Sequence, residues 1–304
     1  MTGSVKNLDP DRVWLGVTPT LWWNDDFPSI DIGIPFEQCV SEMALAGFQG
    51  CSIGHKYPTD PAVLKRALDL RGLRVSEPWV STYFTIREMA EQTIENFERQ
   101  LDFLEAVGGV NIVVAEFGRS SHLQPIALFA NRPEFDDSEW DKLSHGLNDL
   151  GERAARRKMR LCYHHHMGTG VQTPENIRRL MDSTDPELVH LLLDTGHLAF
   201  AGADPLQVAR EHGTRIKHVH LKDVRSDVAE QARKQGLSFQ QAIECGVFTV
   251  PGDGAIDFVP ILDALADAGF EGWLVVEAEQ DPAKACPLAY AKKARAYLSK
   301  VLGW

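Results

Sequence analysis

The sequence predicts an α/β fold, a single closed (β/α)8 barrel of parallel strands. Short apolar segments alternate with amphipathic segments about eight times, and four of the later apolar segments end in a residue that can bind a metal ion. The alternation favours a closed barrel over an open sheet. The length agrees, because such barrels commonly take about 250 residues as one domain and this chain has 304.

Eight segments are predicted to be strands, and most of them are short, apolar and rich in leucine or β-branched residues. Parallel strands that are covered on both faces have this composition. In chain order the segments are Val13–Val17, Gly50–Gly54, Arg74–Trp79, Val110–Glu116, Arg160–His164, Val189–Asp194, Ile216–Leu221 and Trp273–Glu277.

The segments between these strands are predicted to be helices because their apolar residues fall on one face. They are Phe36–Ala46, Pro61–Leu70, Ile86–Val107, Glu139–Lys158, Pro174–Met181, Pro205–His212 and Phe258–Ala268. Thr173 before Pro174 predicts a helix start. Residues 226–250 exceed what a tight loop needs, so we expect one domain, 1–304, with an insertion over the barrel rim around 226–250.

Composition restricts the partners and the compartment. A net charge of -12 argues against nucleic acid or an anionic membrane as a partner, since both attract basic surfaces. No apolar run approaches the roughly 20 residues of a membrane helix. Five cysteines without a CxxC spacing predict reduced thiols, and the polar stretch Met1–Arg12 lacks a signal peptide's apolar core. We therefore expect a cytoplasmic protein, and the sequence leaves a homo-oligomer open.

Four predicted strands end in His164, Asp194, His220 and Glu277, respectively. Active residues of a (β/α)8 barrel gather at the carboxyl ends of its strands, so these side chains are expected to converge. Their nitrogen and oxygen donors suit Mn²⁺, Co²⁺, Fe²⁺ or Zn²⁺ better than Ca²⁺. The lack of thiolates argues against a closed structural zinc site. Glu116 ends a further strand, and a solvated loop carboxylate is as reasonable a reading of it as a functional one.

Several stretches resemble the xylose isomerase-like TIM barrels. Pro251–Phe258 looks like a signature of that superfamily, and so does the order of the strand-end ligands. Within the superfamily the resemblance is strongest to the inosose dehydratases, and it spans roughly the whole barrel. The stretches that carry it are Pro19–Asp26, Ala46–Gly50, Tyr163–Gly170, Leu193–His197, His218–Arg225 and Val276–Pro282.

The resemblance implies a metal-dependent hydro-lyase that removes water from 2-keto-myo-inositol, a cyclic polyol ketone, to give a cyclohexane-dione in inositol catabolism. The expected metal is Mn²⁺ or Co²⁺, with Zn²⁺ and Fe²⁺ as alternatives. In the related ketose 3-epimerases the fifth-strand ligand is a glutamate that also acts as an acid or base. His164 holds that position here, which disfavours an epimerase and leaves open whether His164 or His166 is the ligand.

Loss of water beside a ketone needs a base and an acid in addition to the metal. The catalytic candidates are His197, which would donate a proton to the leaving hydroxyl or hold the substrate, Glu279, Glu116 and His166 as bases, and Lys222 as an electrophilic or polyol-binding group. The candidates for substrate binding are Trp22, Trp23, Asn24, Asp25 and Arg225. The two tryptophans would stack on the substrate ring or plug the barrel mouth, and Asn24 and Asp25 would bind hydroxyls or turn the chain.

Three other functions compete with a dehydratase. A ketose isomerase or epimerase would use the same barrel, but it would form no conjugated dione. A repair endonuclease would need ligands for several zinc ions and a basic face, which the acidic composition opposes. A non-catalytic polyol-binding protein would have no need of an intact ligand set.

Overall fold

The computed structural model describes residues 8–304, and most of the polar stretch Met1–Arg12 therefore lies outside the described residues. Within that range one curled sheet of nine parallel strands forms the centre of the molecule. The strands are β1 Val13–Val17, β2 Gly50–Cys51, β3 Arg74–Val75, β4 Trp79–Thr82, β5 Asn111–Glu116, β6 Arg160–His164, β7 Val189–Asp194, β8 Ile216–Leu221 and β11 Gly272–Val276. The two strands between β8 and β11 in the chain, β9 Asp223–Val224 and β10 Phe248–Thr249, form a separate small sheet. The predicted barrel is confirmed.

The barrel closes through its third strand, which is interrupted. The order in the sheet is β3-β2-β1-β11-β8-β7-β6-β5-β4, and the two end strands β3 and β4 are joined by only residues 76–78. The prediction of one strand over Arg74–Trp79 is therefore wrong in detail. Pro78 lacks an N–H to donate to a ladder, although its carbonyl oxygen still accepts from Val113 N at 3.0 Å. Glu77 lies in this interruption.

Helices follow the strands and cover the outside of the barrel. They are α1 Phe36–Leu45, α2 Pro61–Asp69, α3 Ala90–Val107, α4 Asp137–Arg156, α5 Pro174–Ser183, α6 Thr195–Ala201, α7 Pro205–His212, α8 Ser226–Gln235, α9 Phe239–Glu244, α10 Phe258–Asp267 and α11 Pro287–Leu302. Six of the seven predicted helices are present with shifted ends and Pro205–His212 has the predicted bounds, whereas α6 and α11 were not predicted. No helix within residues 8–304 has the length and apolar character needed to cross a membrane.

The barrel interior is filled below the functional end. Val113, Cys162 and Leu192, from three adjacent strands, form a small buried cluster, and the rings of Trp14 and Trp273 pack 5.6 Å apart near the amino ends of their strands. This packing leaves only the carboxyl ends of the strands open to an internal cavity.

Residues 226–250 carry α8, α9 and the short strand β10 (Phe248–Thr249), which pairs antiparallel with β9 (Asp223–Val224). Their apolar side chains form a second buried cluster with Phe200 and Met167. Phe239 and Phe248 of this cluster lie 6.0 and 5.4 Å, ring to ring, from His197. The insertion therefore forms one wall beside the strand-end residues.

Candidate metal centre and active-site cavity

Four side chains from four strand ends meet at the carboxyl end of the barrel. Asp194 Oδ2 lies 3.3 Å from His164 Nε2 and 3.7 Å from His220 Nδ1. His220 Nδ1 lies 2.5 Å from Glu277 Oε2, and the four donor atoms all lie within 4.8 Å of one another. The structure thus brings together the four residues singled out in the sequence, and it groups His164, rather than His166, with the others.

The residues fit a divalent cation. Asp194 Oδ2, His220 Nδ1 and Glu277 Oε2 are buried and have no hydrogen-bond partner among the described residues. Burying such atoms unsatisfied costs free energy, and native structures rarely do so. The other oxygen of Asp194 is used, because Oδ1 accepts from the backbone N of His197 at 2.7 Å and caps α6. A cation among the free atoms would satisfy all of them.

The charges of Asp194, Glu277 and His164 suit metal binding. Burial raises the pKa of Asp194, but the nearby Lys222 and His197 outweigh burial and hold that pKa well below its usual range. Burial likewise opposes the ionised form of Glu277, whose pKa is nevertheless lowered by Lys222 and His220. Burial lowers the pKa of His164, which favours the neutral imidazole that metals bind. Burial also lowers the pKa of His220, but the carboxylates of Glu277, Asp194 and Glu77 outweigh burial and raise that pKa well above its usual range, so a cation would take the place of a proton on this ring.

Lys222 is a fixed cation behind the four residues. Its fully buried Nζ lies 2.7 Å from Glu279 Oε2 and 2.9 Å from His197 Nε2. Burial opposes its charge, but the carboxylates of Asp194, Glu277 and Glu279 raise its pKa. His166, His197 and Glu279 also have the spacing of a metal site, yet Lys222 already donates to two of them. Lys222 therefore already supplies a positive charge to this second group of residues.

His166 and Glu279 face the cavity, whereas His197 and Lys222 do not line it. The structure therefore contradicts the predictions that His197 donates a proton to the substrate and that Lys222 contacts it. His166 Nδ1 donates to the carbonyl of Met167 at 2.8 Å, which leaves Nε2 free to exchange a proton. Burial lowers the pKa of His166 well below its usual range, and burial raises that of Glu279 to about 7 against the opposing charge of Lys222. Two proton-transfer groups thus lie beside the candidate ligands.

The cavity measures about 390 Å³, and three candidate ligands, His164, His220 and Glu277, contribute to its lining. Trp79 forms an apolar wall with 36% of its surface exposed. Its ring lies 5.4 Å from the rings of both Phe117 and His164. This volume accommodates a small ring-shaped molecule, and the polar ligands and the apolar wall suit the two faces of a cyclic polyol.

Trp22 and Trp23 are not the expected stacking wall. Both are fully buried in the main core, and their Nε1 atoms donate to Glu42 Oε2 at 2.6 Å and Asp25 Oδ1 at 2.8 Å, respectively. The pair packs under the cavity rim, so the prediction of ring stacking by these residues is wrong. Trp79, the last residue of the predicted strand Arg74–Trp79, holds that position.

Asn24 and Asp25 line the cavity and also shape the chain. Asn24 Oδ1 accepts from the backbone N of Asp26 and Phe27 at 2.8 and 3.0 Å. Asp25 accepts from the backbone N of His55 at 3.0 Å and pairs with its ring at 2.5 Å. The turning role is thus present in the structure, and hydroxyl binding stays a prediction.

Glu116 lies outside the cavity, and both oxygens of its carboxylate accept hydrogen bonds. Its carboxylate accepts from Thr82 Oγ1, from the backbone N of Phe84 and Gly118, and from both the N and the Oγ1 of Thr85, at 2.8–3.2 Å. Val113 on the same strand faces the interior, so Glu116, three residues on, faces outward. The structure contradicts its prediction as a base and gives it a structural role.

Arg225 is also structural. Its guanidinium donates to the carbonyls of Gly246 and Phe248 and to Thr249 Oγ1 and Asp253 Oδ2, at 2.7–3.3 Å. These bonds tie residues 226–250 to the barrel, and Arg225 does not line the cavity. The prediction that it binds substrate is therefore wrong.

Glu77 was not predicted from the sequence as a residue of the site. It lines the cavity floor, and its carboxylate lies 3.2 Å from His220 Nε2 and 3.2 Å from His218 Nε2. Burial raises its pKa, but the two histidines outweigh burial and lower the pKa to about 2. A carboxylate within the predicted strand Arg74–Trp79 was the available signal.

A parallel barrel with histidines and carboxylates converging at its carboxyl end belongs to the class of α/β barrels with a candidate metal centre. A sequence model of the xylose isomerase-like TIM barrel matches residues 24–301. The chain is 54% identical to the inosose dehydratase of Geobacillus thermodenitrificans (strain NG80-2) over 294 residues, 96% of this chain and 98% of the relative. It is 50% identical to that of Bacillus cereus (strain AH820), with the same coverage.

Among solved structures, the IOLI protein, determined with a bound zinc atom, superposes with a TM-score of 0.72 at 15% identity. The match covers 95% of this chain and 98% of that one, and at this identity it supports the fold alone. The chain belongs to the inosose dehydratase family of the xylose isomerase-like TIM barrels.

Proposed function

We propose that this protein removes water from 2-keto-myo-inositol, with a divalent cation held by His164, Asp194, His220 and Glu277. The observation that carries the proposal is the convergence of four donor atoms within 4.8 Å of one another, beside two cavity-facing groups able to exchange protons. The choice of substrate follows the relatives named inosose dehydratase, which are 50–54% identical to this chain over nearly its whole length.

The reaction breaks an α-C–H bond and a β-C–OH bond of the ketone, forms a C=C bond and releases water. It needs one group to take the α-proton and one to give a proton to the leaving hydroxyl. General acid–base catalysis of this kind contributes roughly 10²–10⁴-fold. The cation, when bound, would supply Lewis-acid polarisation of a substrate oxygen.

We assign the two proton transfers to His166 and Glu279, because both face the cavity. His166 offers a free Nε2, since Nδ1 is held by the Met167 carbonyl. Lys222 holds Glu279 in place at 2.7 Å. His197 packs behind His166, with ring centroids 3.9 Å apart, and acts as a positioning residue for Lys222 and His166.

We propose Mn²⁺ or Co²⁺ as the working metal, with Zn²⁺ and Fe²⁺ as alternatives. The donor set of two imidazoles and two carboxylates suits all four ions. A visible spectrum of the Co²⁺-loaded protein would report the number and type of ligands directly.

Trp79 is expected to hold the apolar face of the substrate ring. We predict that Trp79→Ala raises KM by about 10-fold, because burying apolar surface is worth roughly 25 cal/mol per Å² and about 1.4 kcal/mol corresponds to a factor of ten in affinity. kcat should change less, since the proton-transfer groups remain. Steady-state kinetics with Trp79→Phe as the control would check this, and an unchanged KM in the alanine variant would refute the stacking role.

An isomerase or epimerase is the competing function. The position that carries a glutamate in the related epimerases carries His164 here, within the ligand group, so the pair of carboxylates that epimerisation uses is incomplete. The product distinguishes the two functions, because only dehydration creates a conjugated dione that absorbs in the ultraviolet.

The test is a spectrophotometric assay of 2-keto-myo-inositol with metal-stripped protein and a panel of divalent metals. We expect absorbance to rise only after metal addition. Turnover that survives complete chelation would refute the metal's role. Conversion of a ketose to its epimer, with no absorbance change from 2-keto-myo-inositol, would replace the dehydratase by an epimerase.

A further inference from the structure

We propose that Glu77 is a positioning residue for the candidate metal ligand His220, and that His218 and Asn111 hold Glu77 in place. This inference rests on the metal site of the proposed function. Glu77 lies at the interruption between β3 and β4, on the side of His220 that faces away from the other three candidate ligands.

Both ring nitrogens of His220 are directed at carboxylates. Nδ1 lies 2.5 Å from Glu277 Oε2 and 3.7 Å from Asp194 Oδ2. Nε2 lies within hydrogen-bond distance of Glu77 Oε1, at 3.2 Å. Of these contacts only the one at Nε2 has hydrogen-bond geometry, and a carboxylate accepts and cannot donate, so Glu77 holds a proton of His220 on Nε2. The Nδ1 lone pair then faces the candidate metal position.

The far side of Glu77 is held as well. Asn111 Nδ2, which can only donate, lies 3.0 Å from His218 Nδ1, so His218 carries its proton on Nε2. That Nε2 lies 3.2 Å from Glu77 Oε2, a close polar contact that lacks hydrogen-bond geometry. Asn111, His218 and Glu77 are all at most 2% exposed. The buried series Asn111–His218–Glu77–His220 thus ends at the metal ligand.

Carboxylates behind a metal-binding histidine orient its ring and increase its basicity. Here the carboxylate comes from the interruption between β3 and β4 and the histidine from β8, so the barrel closure itself sets the ring orientation. Glu77, His218 and His220 also have the spacing of a metal site. A cation there would need Nε2 of both histidines as ligands and would remove the proton that His220 donates to Glu77.

The experiment is calorimetric titration of the full-length, metal-stripped protein with Mn²⁺. Wild type is expected to bind one ion. Glu77→Gln keeps the shape but removes the second acceptor and the charge, and we expect its Kd to rise by about 10–100-fold. His218→Leu should weaken binding in the same direction, and His218→Gln, which keeps a donor toward Glu77, should restore most of the affinity.

Glu116→Gln is the matched control, because Glu116 is also a fully buried carboxylate but bonds no candidate ligand. It is expected to bind Mn²⁺ like wild type while its free energy of unfolding falls, because buried hydrogen-bond donors lose their acceptor. A merely structural Glu77 would behave in the same way, with lower stability and an unchanged Kd.

The outcomes separate the two proposals. Absence of Mn²⁺ binding by wild type would overturn the metal site and the proposed function with it. Wild-type binding with an unchanged Kd in Glu77→Gln, or in His218→Leu if the first variant does not fold, would overturn the role of Glu77 alone. Two ions in wild type and one in Glu77→Gln would make Glu77 a ligand of a second ion and would also contradict this inference.

Discussion

Glu277→Gln is expected to lose metal affinity and turnover together. Glu277 Oε2 lies 2.5 Å from His220 Nδ1 and 3.5 Å from Lys222 Nζ. The substitution keeps the shape of the side chain but removes the charge. A bound metal supplies several kcal/mol of charge stabilisation in the transition state, and about 1.36 kcal/mol corresponds to a factor of ten. We therefore expect kcat/KM to fall on the order of 10²-fold or more.

Metal content and kinetics should be measured on the same preparation. Glu42→Gln is a suitable control, because Glu42 is a partly buried carboxylate that accepts from Trp22 and does not line the cavity. The control should keep its metal and its rate. A Glu277→Gln protein with normal metal loading and a normal rate would refute the ligand assignment.

His166→Asn and Glu279→Gln are expected to lose kcat by about 10²–10⁴-fold each, the range of general acid–base catalysis. Asparagine can still donate to the Met167 carbonyl, as His166 Nδ1 does at 2.8 Å, but it lacks the free ring nitrogen. Glutamine can still accept from Lys222 but cannot exchange a proton. Neither residue is one of the four candidate ligands, so both variants should keep their metal.

Exchange of the substrate's α-proton in D₂O assigns the two roles. The variant without the base should lose exchange together with elimination. The variant without the acid should still exchange the α-proton while it releases water slowly. Two metal-loaded variants with wild-type kcat would show that neither residue transfers a proton in the reaction.

The fold was predictable because the barrel repeats one simple pattern. Fully buried parallel strands appear as apolar segments such as Val189–Asp194, and glycine or proline marks the helix ends. The third strand departs from that pattern at residues 76–78. The helix α11 was missed, because it follows the last strand and no later strand marked its end.

The four candidate ligands were predictable from chain position alone, since the carboxyl ends of parallel strands meet at one end of a barrel. Which face a side chain takes was harder to predict. The strand with Glu116 is apolar on both faces, so its sequence does not show that Val113 points inward and Glu116 outward. A charged residue at a strand end is thus insufficient evidence for a place in the cavity.

Aromatic residues gave the least reliable predictions. Trp22, Trp23 and Trp79 are equally suited to stacking on a sugar ring or to filling a core, and only packing decides. Trp22 and Trp23 are fully buried, whereas Trp79 is partly exposed to the cavity. Glu77 illustrates the converse case, because its role depends on histidines 141 and 143 residues away in the chain.

The most direct measurement is the position of the metal in a crystal of the Mn²⁺-loaded protein, located by anomalous diffraction. We predict a single anomalous peak about 2.0–2.3 Å from His164 Nε2, Asp194 Oδ2, His220 Nδ1 and Glu277 Oε2, the usual distance range for such ligands. A peak bound by His166 instead of His164, a peak among Glu77 and His218, or no peak in the barrel would contradict it.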